Sequence, residues 1–148
     1  MPLYIAYGSN LNLSQMAERC PKAKPLGAGD LPGWRLAFRG AERGYYLTLL
    51  PSPEDRAPIG VWEVTAEDIA SLDQYEGYPE FYYKTEITVD YRELSTGAPR
   101  RDRALIYIMR GGYAPGAPTE DYYRGCIEGF RSFGLDTSPL EAAYIEVK

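Results

Sequence analysis

The sequence predicts an α+β fold built on a largely antiparallel sheet or barrel. Two observations carry this prediction: segments with strand character come in runs, and helices do not alternate with them regularly. About six strands and two or three helices can be counted along the chain. A doubly wound parallel fold needs a helix after almost every strand, so the sequence argues against it. The length of 148 residues predicts one domain over residues 1–148.

The N-terminal half contains four strand-like segments and two helices. The apolar run at residues 3–7 ends in Gly-Ser-Asn, which is typical of a buried strand entering a tight loop. Helical spacing then predicts a helix over residues 13–19 with Asn12 as its N-cap. Further strands are predicted over residues 34–39, 45–50 and 59–64, and the segment PSPEDRAP predicts a loop between the last two. Thr65 and Asp68 resemble a capping box at the start of a helix over residues 66–75.

The C-terminal half continues the same pattern. Gly77 and Pro79 end the preceding helix, and a long strand is predicted over residues 81–91. The STGAPRRD hairpin leads into a strand over residues 103–109. After the loop GGYAPGAP, Thr119 begins a helix that runs to Phe130, and a last short element covers residues 139–144.

The composition excludes several classes of chemistry. The chain has 14 tyrosines and no histidine. Without histidine, Ser-His-Asp triads, Cys-His pairs and HExxH zinc sites are impossible. An enzyme doing acid–base work must therefore use a carboxylate, tyrosine, lysine or cysteine. No GxGxxG or Walker A motif is present, so nucleotide binding has no support.

Charge and cysteine content bear on partners and location. A net charge of −5 argues against nucleic-acid binding, and no apolar stretch is long enough to predict a membrane span. Cys20 and Cys126 form no CxxC motif, so we expect two reduced cysteines and no metal site. The start MPLYIAYGSN has no basic region before an apolar stretch, so no signal peptide is predicted. These features predict a cytoplasmic protein, and they do not indicate its oligomeric state.

The segment YGSN, residues 7–10, is the first candidate for chemistry. Gly8 permits unusual backbone conformations, and successive N–H groups in such a loop can cradle a carboxylate or an oxyanion. The alternative is a plain turn between a strand and a helix.

The segment LDQYEGYPEFYYK, residues 72–84, is the second candidate. Glu76 stands at the C-terminal end of a predicted helix, where the helix dipole and neighbouring aromatic side chains both raise a carboxyl pKa. A raised pKa suits a general acid or base near neutral pH. Asp73 shares a helix face with Glu76 and Glu80 follows closely, so either is a rival or an assistant. The alternative is a surface glutamate beside a turn.

The segment PGAPTEDYYRGCIEGF, residues 115–130, is the third candidate. Its apolar stripe is typical of core packing, but Tyr122 or Tyr123 could direct a hydroxyl group into a cleft.

Taken in order, these segments resemble the γ-glutamylcyclotransferase family, the AIG2-like group. YIAYGSNLN resembles the family's N-terminal substrate loop, and LPGWRLAFRG resembles the strand after its first helix. The strand at residues 60–64 followed by LDQYEG resembles the segment that ends in the family's catalytic glutamate, which falls on Glu76. APGAPTEDYYRGCIEGF resembles the later segment whose substrate-contacting tyrosine falls on Tyr122.

The resemblance implies a compact mixed β-barrel with flanking helices, and a pocket between the YGSN loop and Glu76. It implies cyclisation of a small γ-glutamyl compound to 5-oxoproline with release of an amine or amino acid, without cofactor or metal. Glu76 is the expected catalytic residue. The expected substrate-binding residues lie in the first strand, the loop and the later helix: Tyr4, Ile5, Ala6, Tyr7, Gly8, Ser9, Asn10 and Tyr122.

Some features leave the substrate range and the function open. Tyr45, Tyr46 and Leu47 are bulky where many members of the family have smaller residues, and they would narrow the leaving-group side if they point into the pocket. Two other functions remain: a binding or regulatory domain of the same fold, and a tyrosine-rich interaction module without a pocket.

Overall fold

The computed structural model describes residues 2–148, which form six β-strands, four α-helices and a short 3-10 turn at Ser9–Leu11. The strands are β1 (Leu3–Ala6), β2 (Lys24–Ala41), β3 (Gly44–Glu63), β4 (Tyr82–Glu93), β5 (Pro99–Met109) and β6 (Ala114–Pro115). The helices are α1 (Leu13–Arg19), α2 (Ala66–Tyr75), α3 (Glu120–Ser132) and α4 (Ser138–Ile145).

Five of the strands close into a barrel in the order β3, β1, β5, β4, β2 and back to β3. β1 is parallel to β5, and every other neighbouring pair in the barrel is antiparallel. The two-residue β6 pairs with β2 beside the barrel. The predicted α+β class, with a mixed and largely antiparallel barrel and flanking helices, is confirmed. Closure leaves the sheet without long free edges.

The hairpin of β2 and β3 differs most from the prediction. We expected a strand over residues 34–39 and separate strands over 45–50 and 59–64, but β2 has 18 residues and β3 has 20. The segment PSPEDRAP lies inside β3 and is not a loop. Four residues of β3, 52–55, face the single residue Gly33, so the ladder contains an irregularity there. Prolines are tolerated at such places because no ladder hydrogen bond is needed.

Capping side chains mark the starts of α1, α2 and α3, and a glycine turn marks the end of α2. Asn12 accepts the Gln15 N–H to start α1, and Thr65 and Asp68 form a complete capping box on α2. α2 ends in a Schellman motif: Gly77, with a φ of +63°, donates to the Gln74 carbonyl, and Tyr78 donates to the Asp73 carbonyl. This sharp end makes Glu76 the C-cap residue, directly before the turn.

The core lies inside the barrel and beneath α1, α3 and α4. Its largest fully buried side chains are Ile5, Leu11, Met16, Phe38, Leu47, Leu49, Ile59, Leu72, Ile106, Tyr107, Phe130 and Leu140. α3 packs very closely on the loop after β1: a Cβ atom at Gly129 would lie 2.6 Å from the backbone of Leu11 and Asn12. Within residues 2–148, none of the helices has the length and apolarity needed to cross a membrane.

Candidate active site

A cleft of about 710 Å³ opens between the loop after β1 and the end of α2. This volume is typical of a small-molecule site. Eight of the nine predicted site residues line it: Tyr4, Ile5, Tyr7, Gly8, Ser9, Asn10, Glu76 and Tyr122. The ninth, Ala6, is almost fully buried and does not line the cleft.

Glu76 is the half-buried carboxylate of this cleft. The Schellman motif places it at the end of α2, and Asn10 Nδ2 lies 3.5 Å from its Oε1 atom. Protein surrounds the carboxylate except toward the cleft, and this desolvation raises its pKa from 4.5 to about 8. The positive charge of Arg19 acts in the opposite direction and moderates the rise. Near neutral pH, Glu76 can therefore both accept and donate a proton.

The groups that desolvate Glu76 are only partly those expected from the sequence. Tyr75 and Phe81 line the cleft, although Tyr75 is also partly exposed, whereas Tyr78 does not line it and packs against the Lys84 ammonium group. The additional wall comes from Tyr4 in β1, Tyr7 directly after it, Tyr82 at the start of β4 and Tyr107 in β5. Burial is the largest effect that raises the pKa of each of these four hydroxyl groups, so they stay neutral.

Tyr122 reaches the cleft from α3. Its hydroxyl oxygen accepts the backbone N–H of Leu47 at 3.1 Å and lies beside Gly8. Burial raises the Tyr122 pKa well above 10, so the proton stays on the oxygen. The hydroxyl is the acceptor in the Leu47 contact, so its proton points elsewhere, and the Cys126 thiol is one partner within its reach.

The two rival carboxylates have different surroundings. Asp73 does not line the cleft; it accepts both a Lys84 ion pair at 2.8 Å and the Tyr107 hydroxyl at 2.6 Å. Glu80 does line the cleft but is exposed. Neither combines partial burial with a place in the lining of the cleft, as Glu76 does.

The bulky residues of β3 point in different directions. Tyr46 and Leu47 line the cleft, whereas Tyr45 packs against Gly116. The Tyr46 ring meets Phe81 edge-on at 6.1 Å, and Phe81 meets Tyr113 at 4.9 Å. Tyr46, Phe81 and Tyr113 therefore form an aromatic wall of the cleft.

The sequence did not indicate several other residues of the site. Glu42 and Arg43 form the turn between β2 and β3 and reach the cleft, a placement that depends on the full length of that hairpin. Arg19, the last residue of α1, contacts Asn10 of the YGSN loop. The sequence predicted that Arg19 lies in a helix but not that it reaches this loop. In the described part of the chain, residues 2–148, no group of three His, Cys, Asp or Glu side chains could hold a metal ion.

The fold is a β-barrel. Its cleft has the volume of a small-molecule site and is lined by Glu76, a carboxylate that can gain or lose a proton near neutral pH. Comparison with known proteins gives the family. Residues 4–125 match the family described as "Gamma-glutamyl cyclotransferase, AIG2-like". The chain therefore belongs to the AIG2-like gamma-glutamyl cyclotransferase family, and the resemblance found in its sequence is confirmed.

Individual relatives agree with this assignment. The gamma-glutamylcyclotransferase of Bos taurus is 31% identical over 147 residues, which cover 94% of this chain and 73% of the relative. The Mus musculus protein of the same name is 32% identical over 141 residues, covering 90% of this chain and 72% of the relative. A solved structure named gamma-glutamyl cyclotransferase is 26% identical, with a TM-score of 0.76 over 96% of this chain and 83% of its own.

Proposed function

We propose that the chain, acting as one domain, is a cofactor-independent enzyme that cyclises γ-glutamyl compounds to 5-oxoproline and releases an amine or amino acid. The observation that carries this proposal is Glu76, a half-buried carboxylate with a pKa of about 8 that faces a ligand-sized cleft. The names of the relatives support the substrate class. Cys20 and Cys126 are free, buried thiols, which supports a place in the reducing cytoplasm.

In this mechanism the substrate supplies its own nucleophile. Ionised Glu76 takes a proton from the substrate's α-ammonium group, and the free amine attacks the γ-carbonyl carbon of the same molecule. The new C–N bond closes a five-membered ring. Glu76 returns its proton to the leaving nitrogen as the old C–N bond breaks. The ring nitrogen loses its remaining extra proton, which goes through Glu76 to the departing amine or to water.

The loop after β1 is the proposed oxyanion site. Among residues 2–148, the N–H groups of Gly8 and Ser9 donate to no backbone or side-chain acceptor. Both residues line the cleft, as does the Tyr122 hydroxyl. Donors already held in place can stabilise the developing negative charge without reorganisation.

The test measures 5-oxoproline release from a panel of γ-glutamyl compounds. Glu76→Gln keeps the shape of the side chain but cannot accept the proton, and we expect kcat to fall at least about a hundredfold. Glu80→Gln is the matched control, because it removes an exposed carboxylate from the same cleft and should keep kcat within about twofold.

The competing function, a binding domain of the same fold, predicts a different result. Ligands would then raise the melting temperature equally in the wild type and in Glu76→Gln, with no turnover in either. Full activity of Glu76→Gln would instead exclude the proposed role of this residue.

A further inference from the structure

Arg19 makes a set of contacts beside the cleft that the proposed reaction does not use. Its Nη1 atom donates to Asn10 Oδ1 at 2.6 Å, and its Nη2 atom donates to Gln15 Oε1 at 2.8 Å. The guanidinium group lies 3.7 Å from the centre of the Tyr75 ring. Two hydrogen bonds and one aromatic face therefore fix the guanidinium plane.

The first bond decides the orientation of Asn10. A guanidinium group has only donors, so the Asn10 oxygen must face Arg19 and the amide nitrogen must face the opposite way. That nitrogen lies 2.9 Å from the Tyr4 hydroxyl oxygen and 3.5 Å from Glu76 Oε1. Asn10 is only 3% exposed, so water cannot easily substitute for either partner.

The Asn10 amide in turn distinguishes the two oxygens of Glu76. Oε1 faces the amide donor, whereas Oε2 makes no hydrogen bond with any residue in the described range 2–148. No buried side-chain oxygen of that range lacks a partner, so Oε2 is reached from the cleft. A substrate ammonium group would therefore meet Oε2.

From this geometry we infer that Arg19 is a positioning residue. It fixes the orientation of the Asn10 amide, which hydrogen-bonds Oε1 of Glu76 and leaves Oε2 facing the substrate. The inference rests on the proposed function for the role of Oε2, but the contacts between Arg19, Asn10 and Glu76 do not depend on it.

The charged and titratable groups around Glu76 make the consequence measurable. The tyrosines facing it from the strands, the loop after β1, α2 and α3 stay neutral: Tyr4, Tyr7, Tyr75, Tyr82, Tyr107 and Tyr122. Glu42, Arg43 and Glu80 lie exposed at the rim. Arg19 is the cation that lowers the Glu76 pKa, so its removal should raise that pKa further above 8.

The experiment compares Arg19→Met and Arg19→Lys with the wild type. The Glu76 carboxyl carbon is titrated by NMR in protein labelled with ¹³C-glutamate, with Glu76→Gln to assign the signal. In Arg19→Met we expect the Glu76 pKa to rise by about one pH unit, and kcat/KM at pH 7 to fall about tenfold because fewer molecules carry the ionised base. The rising limb of the pH profile should move by the same amount.

The lysine variant separates charge from positioning. Lysine keeps the positive charge but cannot form the fork that holds both Asn10 and Gln15. We expect a Glu76 pKa near that of the wild type, with kcat reduced several-fold and KM little changed. Arg124→Met, which removes an exposed arginine from α3, controls for the loss of a surface charge and should change neither quantity.

Three outcomes decide the matter. An unchanged Glu76 pKa and an unchanged pH profile in Arg19→Met overturn the inference. Wild-type kcat in Arg19→Lys overturns the inference whether or not Arg19→Met folds, and a reduced kcat with a wild-type Glu76 pKa supports it. If the wild type releases no 5-oxoproline, the proposed function fails, while the NMR titration alone still decides whether Arg19 acts on Glu76.

Discussion

Replacing Glu76 with glutamine should stabilise the folded protein, and the gain should depend on pH. Desolvation raises the Glu76 pKa from 4.5 to about 8, so the folded state disfavours the ionised carboxylate relative to the unfolded state. Between these two values the unfolded chain has released the proton and the folded chain still holds it. The free energy of unfolding therefore falls as pH rises through this interval, and Glu76→Gln removes that loss.

The structure sets the size of the effect. At about 1.4 kcal/mol per pH unit, the interval between 4.5 and about 8 gives a ceiling of roughly 5 kcal/mol. Glu76 is in contact with solvent through the cleft, which lowers the ceiling, and we expect about 2–3 kcal/mol at pH 8.5. For a chain of this size that is a rise in melting temperature of roughly 4–10 °C, against almost none at pH 4.

Thermal unfolding at pH 4, 6 and 8.5 measures this difference. Glu80→Gln is the control, since the same charge is removed from an exposed position and the melting temperature should shift by less than about 2 °C throughout. A Glu76→Gln gain that is the same at all three pH values would refute the reasoning, because no proton would then be linked to folding at this residue.

Three further predictions test other parts of the structure. Gly129→Ala should lower the free energy of unfolding, measured in urea, by about 1–3 kcal/mol, because the new Cβ would lie 2.6 Å from the backbone of Leu11. An unchanged urea midpoint of unfolding would contradict that close packing. Asp73→Asn breaks the ion pair with Lys84 and should lower the melting temperature while kcat for 5-oxoproline release stays within about threefold; a hundredfold loss of kcat would give Asp73 a catalytic role. Tyr46→Ala removes part of the aromatic wall and should raise KM about tenfold for γ-glutamyl compounds with large apolar leaving groups, and little for small ones; equal effects on both would place the leaving group elsewhere.

The sequence predicted those parts of the fold that depend on neighbouring residues. The capping box of Thr65 and Asp68 and the turn at Gly77 are local signals, and α2 has the predicted bounds from Ala66 to Tyr75. Local signals were insufficient for the β2–β3 hairpin. PSPEDRAP has the composition of a loop, but pairing with β2 on both sides of the irregularity keeps it inside one long strand.

The candidate site was predictable to a similar extent. Glu76 and the YGSN loop stand in short segments whose chemistry can be recognised, and the structure brings both to one cleft. The direction of the Glu76 pKa also followed from its helix end and its aromatic neighbours. Arg19 could not be foreseen because its contact with Asn10 depends on how α1 folds back on the loop. Tyr46 was named as a residue that would narrow the cleft if it pointed inward, but its direction depends on contacts with Phe81 and Tyr122, which are distant in sequence.

The β2–β3 hairpin is long enough that its two ends have different roles: one end is part of the barrel, and the other borders the cleft. Near one end the hairpin belongs to the barrel, where β3 pairs with β1 and any slip in register would expose the core. At the other end, the turn formed by Glu42 and Arg43 borders the cleft, and both of its residues are exposed to solvent. Insertions or substitutions at this tip can reshape the entrance of the cleft without disturbing the barrel strands or the end of α2 that carries Glu76. Divergence in substrate range within this barrel is therefore expected to accumulate at the tip before it reaches Glu76.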